Sequence, residues 1–230
     1  MLRFPAFTTL LNQERRSAPH PWSPILLLSL VISGLGCLLI PSAALAHHPL
    51  GGRLPANAFE GLMSGLAHPI IGPDHFAFVV AAGLLAALSR QGVMIPIAFV
   101  IAGLGGTGIH LHSLDLPASE IVISASVLVF GLLLTLKHSP NWQGVAGLAA
   151  IAGLFHGYAY GEAIVGAEMT PTGAYLMGFT VIQLVIAWGA GAIAHRILAQ
   201  DRPMPELPLR FAGFVIFGMG VAFLSAIILG

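Results

Sequence analysis

From residue 47 onward the chain alternates long apolar runs with short polar breaks, and the length of the runs decides the fold class. Apolar stretches cover approximately 72–89, 93–112, 117–137, 142–163, 171–195 and 207–229. Each is near the ~20 residues that an α-helix needs to cross ~30 Å of hydrocarbon. The pattern predicts an all-α, polytopic membrane helix bundle: six transmembrane helices forming a single domain over 47–230. A shorter helical segment, 56–68, precedes the first crossing. Joined to it, the two would exceed the thickness of the bilayer, and Pro69, Gly72 and Pro73 break the join. The expected element is a short, broken or re-entrant outer helix.

The first apolar run, 25–40, has a different character. Arg3, Arg15 and Arg16 precede it, and Pro41-Ser42-Ala43-Ala44-Leu45-Ala46 closes it. This is the order of a cleavable signal peptide with an Ala-x-Ala site, predicting removal of 1–46 and a mature chain that opens on His47-His48-Pro49. The single cysteine, Cys37, falls inside this run. The rest of the chain therefore has no thiolate site and no cysteine nucleophile, and any metal must be held by nitrogen and oxygen.

Charge orients the bundle, because cytoplasmic loops collect Lys and Arg. With the mature N-terminus on the outer, periplasmic side, Arg90, Lys137, Arg196, Arg202 and Arg210 fall on the cytoplasmic side, and Arg53 alone stays outside. The expected location is a bacterial-type inner membrane, crossed several times. Glu60, Asp74, Asp115, Glu120, Glu162 and Glu168 fall in the outer half, with only Asp201 and Glu206 inside. Two readings stay open: a carboxylate vestibule that concentrates cations, or ordinary solvated loop acids.

Composition agrees with a lipid environment, since 57% of the 230 residues are hydrophobic and 8% charged, far below the roughly 25% charged fraction of a soluble domain. Most of the glycines lie inside apolar stretches, where they let membrane helices approach closely; such faces permit a homo-oligomer. The net charge is zero and the basic residues form no dense patch, so nucleic acid is excluded as a partner. The expected partners are the lipid bilayer and a divalent metal ion.

Two histidine constellations carry the candidate chemistry. The first is His68-Pro69-Ile70-Ile71-Gly72-Pro73-Asp74-His75. Its prolines and glycine bend the chain so that His68 can fold back toward Asp74 and His75, and irregular backbone at membrane depth survives only where it is buried or lines a cavity. Asp74 and His75 open a helix, whose dipole favours carboxylate and keeps imidazole neutral, as a ligand must be. The second is Phe155-His156-Gly157-Tyr158-Ala159-Tyr160-Gly161-Glu162. On an ideal helix His156 and Glu162 face apart, but Gly157 and Gly161 make local unwinding cheap. Ionisable residues inside a span are expensive and point to function or to a partner. Together the segments offer three imidazoles and two carboxylates, a set suited to Ni²⁺, Co²⁺ or Zn²⁺. Interhelical hydrogen bonding by the histidines and packing by the glycines remain the alternative.

These two motifs, His-x5-Asp-His and Phe-His-Gly-x-Ala-x-Gly-Glu, resemble those of the HupE/UreJ membrane proteins, associated with hydrogenase and urease gene clusters and regarded as nickel permeases. The resemblance extends over nearly all of the mature chain. It implies secondary, non-ATP transport of nickel into the cytoplasm for metalloenzyme maturation, with His68, Asp74, His75, His156 and Glu162 as the metal site. No prosthetic cofactor is expected.

Weaker features flank this set. His47 and His48 would place an α-amine and two imidazoles at the mature terminus, and His110 and His112 lie near Asp115 and Glu120 at the outer end of the second crossing. Each pair is either an auxiliary metal contact or a solvated surface pair. The glycine run 103–108 lacks the Lys-Ser/Thr of a phosphate loop and predicts close helix packing. Gln183, Trp188, Tyr158 and Tyr160 either line a path or pack. Two rival functions stand beside transport: a non-transporting metal-binding accessory protein, and an intramembrane zinc enzyme, for which the chain has no His-Glu-x-x-His helix. An enzyme is not expected. If imidazoles carry the ion, uptake falls between neutral pH and about pH 5 as the rings protonate; a flat profile of initial uptake rate over that interval would contradict imidazole ligation.

Overall fold

The computed structural model describes residues 53–229 apart from Ser139 and Arg202, so 1–46, Cys37, His47 and His48 lie outside the described residues. Seven α-helices fill the described chain: α1 (Ala58–Ile71), α2 (Pro73–Ala86), α3 (Met94–Leu111), α4 (Ser119–Thr135), α5 (Trp142–Glu162), α6 (Met169–Leu198) and α7 (Leu207–Leu229). Each of the six apolar stretches holds one of them.

α1 begins on a capping arrangement readable in Asn57-Ala58-Phe59-Glu60. The Asn57 side chain accepts from the Glu60 backbone N–H at 2.9 Å, and the Glu60 carboxylate accepts from the Ala56 N–H at 2.9 Å, so donors left over at the helix start are satisfied from both directions. Arg53 closes over the same carboxylate at 2.9 Å.

The break expected over Pro69, Gly72 and Pro73 is confined to one residue. α1 runs through Pro69 to Ile71, because its packing against α6 outweighs the bond that the proline cannot make. A Cβ at Gly61 or Gly65 would overlap the backbone of Pro171 or Tyr175 on α6, so the two helices are locked at close range. The chain turns at Gly72 instead, at φ −75° and ψ 107°. The ring of Pro73 excludes the helical region for the residue before it, and Pro73 itself occupies the first turn of α2, where its missing N–H costs nothing. The result is a bend of 79° between α1 and α2.

α2 is the hub and touches all six other helices. Its buried face, with Ala77, Phe78, Ala81, Ala82 and Leu85, needs small residues to admit so many neighbours. Around it α1 pairs with α6, α3 with α5, and α4 with α7. The core centres on Phe78, whose ring lies 4.6 Å from Phe99 of α3 and 4.4 Å from Phe130 of α4. The glycine run supplies the α3–α5 contact: a Cβ at Gly106 would overlap the Leu154 carbonyl, and one at Gly157 the Gly103 carbonyl.

The exterior is apolar, with Ile101, Val185, Ile193 and Phe214 exposed on α3, α6 and α7, a surface suited to lipid and unusual for a soluble monomer. Among the described residues three helices, α3, α6 and α7, are long and apolar enough to cross a membrane, and the bent α1–α2 pair makes a fourth if counted as one span. Of the six crossings expected, α4 falls short at 17 residues. α5 has 21 residues, but five glycines, a histidine and two tyrosines lower its apolarity.

Candidate metal centre

Three of the five residues singled out in the sequence converge in the interior. His68 ends α1, His75 starts α2, and His156 lies two turns before the end of α5; their exposures are 1%, 1% and 0%. The bend at Gly72 turns α2 so that His75 faces His68, with ring centroids 5.8 Å apart. His75 also meets His156: their Nδ1 atoms are 2.8 Å apart and their centroids 4.9 Å. Phe78 and Phe99 close the far side of the His156 ring at 4.7 and 5.3 Å.

Hydrogen bonding fixes which ring nitrogen carries each proton, since a hydroxyl has one hydrogen to give. Ser126 of α4 donates to the Ile123 carbonyl at 2.6 Å, so it accepts from His156 Nε2–H at 3.0 Å. His156 Nδ1 then has the lone pair and accepts from His75 Nδ1–H. On the other side Tyr175 of α6 donates to the Tyr160 carbonyl at 2.9 Å, one of the carbonyls that the end of α5 leaves without a helical partner. Its oxygen accepts from His68 Nδ1–H at 2.7 Å. His156 is thereby set as the neutral Nε2–H tautomer with its lone pair on Nδ1, while His75 and His68 each carry a proton on Nδ1; a neutral ring with a defined lone pair is the condition for ligation.

Asp74 is half-buried beside this set, and its Oδ1 accepts from the His75 backbone N–H at 2.8 Å, holding the start of α2 where the helix dipole favours a carboxylate. Glu162 is not brought in. It is exposed at the end of α5, which stays helical from Trp142 through Glu162. The six-residue spacing thus keeps it about 120° around the helix from His156. The unwinding expected at Gly157 and Gly161 does not occur, because both are occupied as contacts: Gly157 against Gly103, and Gly161 against the His110 side chain. Among the described residues no three His, Cys, Asp or Glu side chains form a ready metal cage.

His110 sits apart, its ring on Tyr158 at 4.2 Å, while His112 is exposed. The Tyr158 hydroxyl points to Asp115 at 3.5 Å, long for a hydrogen bond. Gln183 is buried but bonds the Phe179 carbonyl of its own helix at 2.9 Å, and Trp188 is exposed; neither joins the cluster. Ser126 and Tyr175 were not singled out in the sequence, where the one available signal is a hydroxyl inside an otherwise apolar run.

Comparison with known proteins agrees with the motifs. The family described as HupE / UreJ protein matches residues 35–223. Protein HupE of Rhizobium leguminosarum bv. viciae is 32% identical over 170 residues, which covers 72% of this chain and 84% of the relative. No solved structure matches the chain.

Proposed function

The chain belongs to the HupE/UreJ family, and on that premise we propose that it carries a divalent transition-metal ion, nickel before cobalt or zinc, across the inner membrane into the cytoplasm for hydrogenase or urease maturation. On this reading α2 to α7 make six crossings with the mature N-terminus outside, and transport rather than catalysis is the activity.

The observation that supports it is the 2.8 Å approach of His75 Nδ1 to His156 Nδ1 inside an apolar core. Two nitrogens each about 2.1 Å from one ion and at right angles to each other lie about 3 Å apart. The separation therefore suits two ligands of one ion, once each ring turns its Nδ1 from the facing nitrogen toward the ion. An ion seated there replaces the Nδ1 proton of His75, which the ring then carries on Nε2. His68 approaches from the other side, and Asp74 supplies negative charge. Outer carboxylates and His110 gather the ion before it enters, with His112 beside them; His47 and His48 extend that capture. The membrane potential, worth ~2.3 kcal/mol per charge per 100 mV, drives a cation inward without nucleotide. Neutral imidazoles suit this work, because an ion held too tightly cannot leave.

The test is nickel uptake into proteoliposomes by wild type, Asp74→Ala and His156→Ala, with cobalt and zinc as competitors. Uptake by wild type and its loss in both folded variants is the expected result. Binding by wild type without flux would replace this reading with that of a metal-holding accessory protein.

A further inference from the structure

Tyr160 stands among the histidines without taking part, through its side chain, in the hydrogen bonds that order them. Its ring centroid is 4.9 Å from His68 and 4.5 Å from His75, with Phe179 behind it at 5.3 Å. It is wholly buried, at 0% exposure. Its backbone carbonyl accepts from Tyr175, but its phenolic oxygen has no hydrogen-bond partner among the described residues. Buried hydroxyls are almost always partnered, because an unpartnered one is destabilising. Phenylalanine would fill the same space without that penalty. Tyr175, equally buried, shows the usual arrangement, with its oxygen both donating and accepting.

We propose that the Tyr160 hydroxyl contacts the cargo, accepting a hydrogen bond from a water molecule that the ion retains while the imidazoles hold it. The inference rests on the metal-carrier reading above. A cation polarises its bound water and makes it a stronger donor, and a neutral phenol offers the lone pairs to receive it. The ring packs against both His68 and His75, the two imidazoles that meet at the bend between α1 and α2, so its hydroxyl is carried on a ring in direct contact with the proposed ligands. Three imidazoles at most leave positions open on a six-coordinate ion, and a water held by Tyr160 fills one. An ion that keeps part of its shell is easier to release inward. Zinc, which settles into four-coordinate sites, gains less from this contact, so Tyr160 is a specificity residue that favours ions retaining water.

The experiment uses purified full-length protein in detergent, with nickel chloride titrated by calorimetry and metal-free thermal melting recorded in parallel, for wild type, Tyr160→Phe and Tyr175→Phe. Tyr160→Phe is expected to bind nickel about 10-fold or more weakly, to lose less zinc affinity, and to melt without metal at or above the wild-type temperature. Tyr175→Phe, which breaks two hydrogen bonds, melts lower and calibrates the assay. Nickel binding by Tyr160→Phe equal to wild type overturns the proposal. So does a lower metal-free melting temperature, because it assigns the hydroxyl a structural partner. A wild type that binds no nickel overturns the carrier reading itself, a result distinguishable because it precedes any variant.

Discussion

Replacing both His75 and His156 by alanine is expected to destabilise the protein by less than the two single replacements added together, and to abolish nickel uptake. Each single change removes a buried ring and leaves its partner stranded. His75→Ala takes the donor from the His156 Nδ1 lone pair, and His156→Ala leaves both the His75 Nδ1–H and Ser126 without their bond across 2.8 and 3.0 Å. Each stranded polar group costs about 1–3 kcal/mol, on top of the cavity that the lost ring leaves. The double variant loses both partners at once, so a coupling of roughly 0.5–3 kcal/mol should appear in a thermal-melting cycle. Strict additivity would mean that the two rings do not bond in the folded protein. For uptake, either single variant is expected to lose on the order of 100-fold or more, beyond the 10–100-fold typical of outer-shell partners. Ser126→Ala should fall within that outer-shell range, since it releases the His156 tautomer while leaving both rings in place.

The contrast between ligands and their supports also describes what the sequence discloses. Imidazole in an apolar run is conspicuous, so His68, His75 and His156 stand out from the order of residues alone. Their supports do not. Ser126 reaches His156 across 30 residues and Tyr175 reaches His68 across 107, and a hydroxyl in an apolar helix gives no sign of so distant a partner. The helices are legible because membrane-length runs leave little alternative to α-structure. Their breaks are less so, since two local rules compete around Pro69 and Pro73. The steric rule wins at Gly72, and close packing on α6 wins at Pro69. Glycine permits unwinding, which would bring Glu162 near His156, whereas Gly153, Gly157 and Gly161 of α5 are committed to contacts with α3. Permission to bend and a reason to stay straight are carried by the same residue type, and only the neighbour decides.

That commitment makes Gly157 the position where the smallest change should have the largest effect. A Cβ there would overlap the carbonyl, carbonyl carbon and Cα of Gly103, all backbone atoms that cannot rotate aside. Gly157→Ala therefore has to push α3 and α5 apart. Doing so pulls on the Thr107 hydroxyl, which donates to the Gly157 carbonyl at 2.7 Å and ties the two helices at that level. Overpacking of this kind costs about 1–3 kcal/mol, and here the preceding residue on α5 is His156, so the displacement reaches the Nδ1–Nδ1 contact directly. The expected result is a lower melting temperature together with nickel uptake near background. Gly147→Ala on the same helix is the matched control, because a Cβ there meets nothing within 4 Å. Alanine is the better helix former by up to about 1 kcal/mol, so this variant should melt at or above the wild-type temperature with uptake unchanged. Equal behaviour of the two variants in melting and uptake would show that the glycines of α5 serve only as flexible backbone. A large difference between them ties the α3–α5 contact to the placement of His156.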